Sequence, residues 1–257
     1  MRTVAIAMQK GGSGKTTTTV NLAAALAEKG LRVLVVDVDP QANATSWLGV
    51  TNADKGVFAV LCENGNIKDA LHHTGTKGVD IVASSPWLVG AERALAAEVG
   101  AETILRRKLK ALAGAYDVAL VDTPPTLGVL TVGALVAADE VLVPVEAHVM
   151  ALNGLAQLLG TVATVRERLN EGLEVLGIVA CRVDARTRHA TEVVEELRRR
   201  FPAETFATVI RENVRLAEAP SFGQPITVYD EKSAGAEDHR ALAKEIRARW
   251  KLERVEG

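Results

Sequence analysis

The residues best suited to chemistry lie in one glycine-rich run near the start of this 257-residue chain. It reads Gln-Lys-Gly-Gly-Ser-Gly-Lys-Thr-Thr over residues 9–17. An ordinary phosphate-binding loop has a glycine five positions before its Gly-Lys-Thr, and Gln9 stands there instead. The physical requirements are still met, because glycines let backbone N–H groups turn towards an anion and a helix starting near Lys15 adds its positive dipole end. The run predicts a loop that holds nucleotide phosphates.

Three side chains at the end of the run suit different parts of a magnesium–nucleotide complex. Lys15 can bridge the β- and γ-phosphates, Thr16 can ligate Mg²⁺ through its hydroxyl, and Thr17 can reach the α-phosphate. The sequence therefore predicts ATP and Mg²⁺ as ligands of the loop. The residues expected to contact them are Gly11, Gly12, Ser13, Gly14, Lys15, Thr16 and Thr17.

Three carboxylates follow short apolar runs. Asp37 and Asp39 lie in Val-Val-Asp-Val-Asp-Pro-Gln, and Asp122 ends Ala-Leu-Val-Asp. Ligands of open α/β sheets bind at the carboxyl ends of the strands. An aspartate there is often only a helix cap or turn residue, but the presence of both aspartate boxes and the glycine-rich run in one chain favours function. Asp122 has the Walker B arrangement and is predicted to hold Mg²⁺ through water.

The surrounding segments alternate between strand-like and helix-like, as in a mostly parallel twisted sheet with helices on both faces. Apolar runs predict strands at Val4–Met8, Arg32–Val36, Val79–Ala83, Val118–Val121, Glu140–Val145 and Val175–Ala180. Periodic patterns predict helices at Thr16–Lys29, Glu102–Ala113, Leu127–Ala137, Ala151–Leu169, Ala190–Phe201 and Ala236–Trp250. Residues 42–78 have the weakest pattern and are expected to form an exposed helical excursion. Without linkers or repeats, a single α/β domain over residues 1–257 is expected.

Composition narrows the functional classes. The net charge is −2, so any affinity for nucleic acid must come from a local patch. The two cysteines, Cys62 and Cys181, are far apart and lack a CxxC pattern, which argues against a disulfide framework or an iron–sulfur cluster. No signal peptide or membrane-span pattern is found, so a cytoplasmic protein without a membrane partner is expected.

The run from Lys10 to Thr16 resembles the deviant Walker A box of the ParA/MinD family of P-loop ATPases, which have the SIMIBI-type fold. In that family two subunits enclose two ATP molecules, and the extra lysine reaches the partner's nucleotide. The resemblance implies that Lys10 is this trans-acting catalytic lysine, beside Lys15. It also implies that Asp39 positions the attacking water and that Asp37 lies near the magnesium hydration shell.

The last third of the chain is similar to the ParA/Soj branch, in which a Pro-Arg-Asn stretch lines the adenine. Asn213 is kept here, whereas Arg211 and Glu212 stand in place of proline and arginine. Other branches fit less well, because iron–sulfur relatives need cysteines and tyrosine autokinases need a tyrosine cluster. A MinD-type protein ends in an amphipathic membrane helix, and residues 248–257 are too sparsely apolar for one.

Arginines near the end of the chain suggest a DNA-binding patch. By resemblance, Arg186 and Arg215 occupy the DNA-contacting positions, and Arg188 and Arg211 extend the patch. Arg198–Arg200 are better explained as a solvated helix face.

The implied protein is a nucleoid-associated partition ATPase that binds non-specific double-stranded DNA as an ATP-bound homodimer and hydrolyses ATP when a ParB-type partner stimulates it. A MinD-like membrane-associated ATPase, another cargo-positioning ATPase and a non-hydrolysing scaffold remain alternatives.

Overall fold

An eight-stranded sheet lies at the centre of the part of the chain that the computed structural model describes, residues 1–148 and 151–250. Its spatial order is β3-β4-β2-β5-β1-β6-β7-β8, and the pairings are parallel except that of β3 with β4. The inner strands are continuous Val, Leu, Ile and Ala runs because both of their faces are buried. The strands are β1 Arg2–Ile6, β2 Val33–Asp37, β3 Leu71–His73, β4 Val79–Val82, β5 Val118–Asp122, β6 Glu140–Glu146, β7 Glu174–Val183 and β8 Thr205–Arg211.

Helices cover both faces of the sheet. They are α1 Lys15–Ala27, α2 Asn43–Trp47, α3 Val57–Cys62, α4 Ala91–Leu95, α5 Ile104–Leu109, α6 Val129–Ala137, α7 Ala151–Arg168, α8 Arg188–Arg200, α9 Val214–Glu218, α10 Ile226–Tyr229 and α11 Ala234–Arg249. One buried apolar cluster joins one face of the sheet to α3–α8, and a second joins the other face to α1, α2 and α9–α11. The predicted α/β class with helices on both faces is confirmed.

The six predicted strands are all present, with ends displaced by a few residues. The apolar runs did not predict β3 and β8, which are the two edge strands. Edge strands are partly exposed and therefore lack the uninterrupted apolar run that marks a buried strand. No helix among the described residues is long and apolar enough to cross a membrane.

The prediction of an exposed helical excursion at residues 42–78 is right about helices, because α2 and α3 lie in this segment, but wrong about exposure. Trp47, Val57, Val60 and Ile67 in this segment are at most 5% exposed and belong to the core. They are separated by glycines and polar residues, so the sequence shows no regular period although the folded chain buries them. At the other end, Trp250 is also buried, and the remainder of the tail assessed for membrane binding, residues 251–257, lies outside the described residues.

The strand register brings the predicted chemistry to one edge of the sheet. Asp122 at the end of β5 is paired with Ile6 of β1 on one side and with Asp37 of β2 on the other. The glycine-rich loop follows β1 directly, so its turn lies above the two aspartates. This is the carboxyl edge, where parallel sheets bind ligands.

Candidate nucleotide-binding site

The glycine-rich loop takes a conformation that only glycine adopts readily. Gly12 has φ of 75° and Gly14 has φ of 93°, both in the left-handed region. Gly14 is the residue before α1, so the loop runs directly into the N-terminus of a 13-residue helix. A Cβ on Gly11 or Gly12 would meet no atom within 4 Å, which means that these glycines border open space. The loop is thus an open cradle in front of a helix dipole.

Two buried polar groups indicate that this cradle fits a phosphate. Ser13 is fully buried, and its hydroxyl has no hydrogen-bond partner among the described residues. Lys15 is buried too, and burial lowers the pKa of its ammonium group while Asp122 and Asp39 oppose that shift. Its Nζ donates to the Lys10 carbonyl at 3.1 Å. A phosphate would supply the charge and the acceptors that these groups need.

Asp122 lies where the resemblance places a magnesium-binding carboxylate. Its Oδ2 accepts a hydrogen bond from the Thr16 hydroxyl at 2.8 Å, and its Oδ1 accepts one from the Thr19 hydroxyl at 3.0 Å. Burial, together with the neighbouring Asp37, raises the pKa of Asp122. No group of three or more His, Cys, Asp or Glu side chains among the described residues could hold a metal ion. Mg²⁺ commonly needs only one or two protein ligands beside phosphates and water, so Thr16 and Asp122 suit it.

Asp37 and Asp39 have different surroundings. Asp37 is fully buried: Oδ2 accepts hydrogen bonds from the Thr45 backbone and hydroxyl at 2.9 and 2.8 Å, and Oδ1 accepts one from the Asp39 N–H at 3.1 Å. Asp39 lines the cleft beside the loop, and its Oδ1 accepts a hydrogen bond from the Gln41 N–H at 2.9 Å. Ser84 completes the arrangement, because its hydroxyl donates to the Asp39 carbonyl at 2.8 Å. Asp37 therefore fixes the backbone after β2 by hydrogen bonds to Asp39 and Thr45. Of these two carboxylates, that of Asp39 faces the cleft.

Lys10 is not part of the cleft lining. Its Nζ donates to Glu146 Oε2 at 2.6 Å, across 136 residues of sequence. Glu146 Oε1 lies 3.4 Å from a guanidinium nitrogen of Arg182. The structure thus separates the two lysines of the loop, with Lys15 inside the phosphate cradle and Lys10 in an ion pair at the end of β6.

The opposite wall of the cleft comes from the ends of β7 and β8. The cleft has a volume of about 1140 Å³, enough for a nucleotide. Asn213 lines it, and its Oδ1 accepts a hydrogen bond from the Arg215 N–H at 2.8 Å, leaving the amide nitrogen able to donate to a base. Arg211 also lines the cleft but is bound by Asp238 and Glu237 of α11 at 2.7 and 3.1 Å. These carboxylates raise the pKa of Arg211.

The other arginines predicted to bind DNA are exposed. Arg186 makes a two-pronged contact with Asp184 at 2.8 Å and lowers the pKa of that carboxyl to about 2. Arg215 contacts Glu218 at 2.8 Å and Asp230 at 3.6 Å. Arg188, at the start of α8, forms no ion pair with a described residue. A phosphate would thus compete with acidic neighbours for two of these arginines.

Comparison with known proteins identifies the family. Residues 1–175 match the family model described as an AAA domain. The chain is 49% identical over 249 residues to the chromosome-partitioning ATPase Soj of Thermus thermophilus, covering 97% of this chain and 96% of that protein. It is 45% identical over 247 residues to the sporulation initiation inhibitor protein Soj of Bacillus subtilis, covering 95% and 98%. The chain belongs to the ParA/Soj family of chromosome-partitioning ATPases.

Membership of the ParA/Soj family fixes the reaction as ATP hydrolysis and the ligands as ATP and Mg²⁺. The chain is also similar to the crystal structure of cobyrinic acid a,c-diamide synthase from Mycobacterium smegmatis with bound ADP and magnesium, with a TM-score of 0.85 and 35% identity over 98% of this chain and 96% of that one. The predicted fold class, ATPase activity and ligands are therefore confirmed.

Sequence reasoning missed several side chains of this ParA/Soj-family site. Thr19, Thr45 and Ser84 orient the aspartates, and Glu146 and Arg182 contact each other beside the loop. Thr19 could have been found, since it follows Thr16 by three residues and so shares its helix face. The others are isolated polar residues in separate segments, and no local spacing connects them.

Proposed function

We propose that this protein is a partition ATPase whose Mg-ATP-bound form dimerises, binds duplex DNA without sequence preference and hydrolyses ATP when a ParB-type protein stimulates it. The observation that carries the proposal is the separation of the two loop lysines. Lys15 is enclosed in the cradle of its own chain, whereas Lys10 is held outside that cradle with about a third of its side chain exposed. A lysine at that place is available to a second subunit.

Within one subunit, the side chains divide the work of phosphoryl transfer. The loop N–H groups and Lys15 would neutralise the phosphates, and Thr16 with Asp122 would hold Mg²⁺. When bound, Mg²⁺ would neutralise charge on the β- and γ-phosphates. Asp39 is the carboxylate able to orient a water, because it faces the cleft and has its Oδ2 outside the turn that uses Oδ1. Asp37 supports Asp39 by accepting a hydrogen bond from the Asp39 N–H at 3.1 Å.

Between subunits, Lys10 would supply positive charge to the partner's transferred phosphoryl group, as an arginine finger does. The dimer would then persist while the γ-phosphate is present and separate after hydrolysis. Such a cycle uses ATP as a timed switch.

DNA binding would add the second function of the cycle. Arg186, Arg188 and Arg215 are exposed cations near the cleft or beside it. A dimer carries two copies of each of these arginines and can contact twice as many DNA phosphates as one subunit. Because dimerisation requires ATP, ATP would control the affinity for DNA. Association with the nucleoid follows from that affinity. Arg211 contributes less, because two carboxylates already bind it.

The test measures assembly and then DNA binding. Size-exclusion chromatography with ATP and Mg²⁺, compared with ADP, should show a dimer only with ATP. Fluorescence titration of that dimer with two unrelated duplexes should give equal affinities that fall steeply with salt. Phosphate release should rise when DNA and the ParB-type protein are both added.

Three results would contradict the proposal. If the chain stays monomeric with ATP, Lys10 cannot act on the nucleotide of a partner subunit. A dimer that ignores DNA at low salt but sediments with anionic liposomes would instead be a membrane-associated positioning ATPase. A dimer that never releases phosphate under any of these conditions would be a nucleotide-dependent scaffold.

A further inference from the structure

One carboxylate holds Lys10 within the single chain. Glu146 is the last residue of β6, and its two oxygens contact two cations, Lys10 at 2.6 Å and Arg182 at 3.4 Å. The pKa of Glu146 lies below its ordinary value, first because of the Lys10 hydrogen bond and then through the charges of Lys10, Arg182 and His148. Glu146 is therefore ionised, and its carboxylate forms ion pairs with both Lys10 and Arg182.

The backbone at Arg182 is strained. Its φ is 53°, in the left-handed region that disfavours residues with a Cβ. Strain of this kind persists where surrounding structure enforces it, and it is concentrated at functional sites. Glu146 and Cys181 are register partners at the ends of β6 and β7, and the Ala147 N–H donates to the Cys181 carbonyl at 3.0 Å. Neighbouring parallel strands thus place Arg182 beside Glu146, at the edge of the nucleotide cleft that Arg182 also lines.

The arrangement of charges suggests why two cations are present. If Lys10 moved to a partner's phosphates and Glu146 had no second cation, an unpaired carboxylate would remain beside a polyphosphate. Arg182 removes that cost, because it stays at the end of β7, beside Glu146 at the end of β6, and keeps Glu146 neutralised. It also competes with Lys10 for Glu146 before the move.

We propose that Glu146 is the holding group of Lys10 in the monomer, and that Arg182 takes over as its counter-ion when Lys10 crosses to the partner. Glu146 and Arg182 are then positioning residues that set the ATP-dependent dimerisation constant in opposite directions. This inference rests on the proposed trans-acting role of Lys10.

The test compares dimerisation constants of the full chain by sedimentation velocity, with Mg²⁺ and a saturating non-hydrolysable ATP analogue. Glu146→Gln frees Lys10 and should tighten the dimer. One partly exposed ion pair changes an equilibrium by roughly two- to five-fold, and two pairs break per dimer, so the expected gain is roughly four- to twenty-five-fold. Arg182→Met should weaken the dimer by a similar factor, whereas Arg182→Lys should behave like the parent protein.

Matched controls separate this effect from a general loss of charge. Glu63 forms an ion pair with Lys55 at the same 2.6 Å, and Arg199 pairs with Glu196 at 2.8 Å, both away from the loop. Glu63→Gln and Arg199→Met should leave the dimerisation constant unchanged. Thermal unfolding and monomer affinity for a fluorescent ATP analogue check that each variant folds and binds nucleotide.

Failure of this inference and failure of the proposed function give different results. If Lys10→Ala dimerises normally with the ATP analogue, the trans-acting role of Lys10 is wrong and this inference falls with it. If Lys10→Ala loses the dimer but Glu146→Gln does not tighten it, the holding role of Glu146 alone is wrong. A tighter dimer in Arg182→Met would overturn the counter-ion role.

Discussion

At the scale of single residues, Lys10 and Lys15 are five positions apart and have different surroundings. Lys15 is buried behind the loop, and Lys10 contacts Glu146. We expect Lys15→Ala to abolish ATP binding, because no other described ammonium group lies in the cradle. Lys10→Ala should bind ATP with nearly unchanged affinity but form no ATP-dependent dimer. Equilibrium binding of a fluorescent ATP analogue and size-exclusion chromatography measure the two effects.

Lys55 offers a control for these lysines. It forms a partly exposed ion pair of the same length as that of Lys10, so Lys55→Ala should change neither ATP binding nor assembly. Normal dimerisation and turnover in Lys10→Ala would show that the second lysine of the loop acts only within its own chain.

Asp39 is the residue whose loss should separate binding from hydrolysis. The Asp39 side chain faces the cleft. The hydrogen bonds that Thr16 and Thr19 donate to Asp122 do not involve the Asp39 carboxylate, so they persist without it. Asp39→Ala should therefore bind ATP, dimerise and remain dimeric. Turnover, measured as phosphate release, should fall by about 10²-fold or more, since the attacking water loses its orientation. Turnover at the parental rate would remove Asp39 from the mechanism.

At the scale of elements, α11 contains a buried histidine that should make stability depend on pH. His239 is fully buried, its Nδ1 lies 2.7 Å from the Gly235 carbonyl, and its Nε2 has no partner among the described residues. Burial lowers the pKa of His239 to about 4. The unfolded chain takes up this proton near pH 6.5 and the folded chain resists it. The contribution of His239 to the free energy of unfolding is therefore complete above about pH 6.5 and is lost as the pH falls towards 4.

The expected loss is on the order of 3 kcal/mol in the free energy of unfolding between pH 7 and pH 4. Urea denaturation across this pH range measures it. His239→Met should flatten this part of the profile, because it fills a similar volume without a proton site. An unchanged profile in His239→Met would place the acid sensitivity elsewhere.

At the scale of the whole molecule, DNA binding should depend on assembly and on two arginines of each subunit. Arg186→Glu with Arg215→Glu should abolish binding to duplex DNA while ATP binding and the dimer persist. Each single Arg→Ala change should weaken binding, and the salt dependence should fall by about one unit for every phosphate that a subunit no longer neutralises. Both arginines must exchange a carboxylate for a phosphate, so the affinity of one subunit alone should be low.

The measurement is a fluorescence titration with ATP on two unrelated duplexes at two salt concentrations. Arg199→Glu with Arg200→Glu is the matched control, because both pair with Glu196 on the outer face of α8. If the Arg186 and Arg215 double variant binds DNA as well as the parent protein, the binding surface lies elsewhere, with the basic segment Arg106–Lys110 as the next candidate.

The inner strands, the phosphate loop and the carboxylates at the strand ends could all be predicted from the amino-acid pattern. Each of these rests on a local rule. Glycines allow the left-handed turns at Gly12 and Gly14, and a continuous apolar run can only be buried on both faces. Parallel strands then bring their carboxyl ends to one edge, so Asp37 and Asp122 are expected at the same edge of the sheet, whereas the strand order makes them direct neighbours.

The pairing of charged side chains, in contrast, depends on the folded arrangement of distant segments. Glu146 contacts Lys10 across 136 residues, and Asp238 binds Arg211 across 27, so no local spacing could reveal either pair. The same holds for Trp47, whose burial depends on packing against distant segments. Such contacts form because strand order and helix packing bring remote side chains together, and a periodic pattern carries no information about that order.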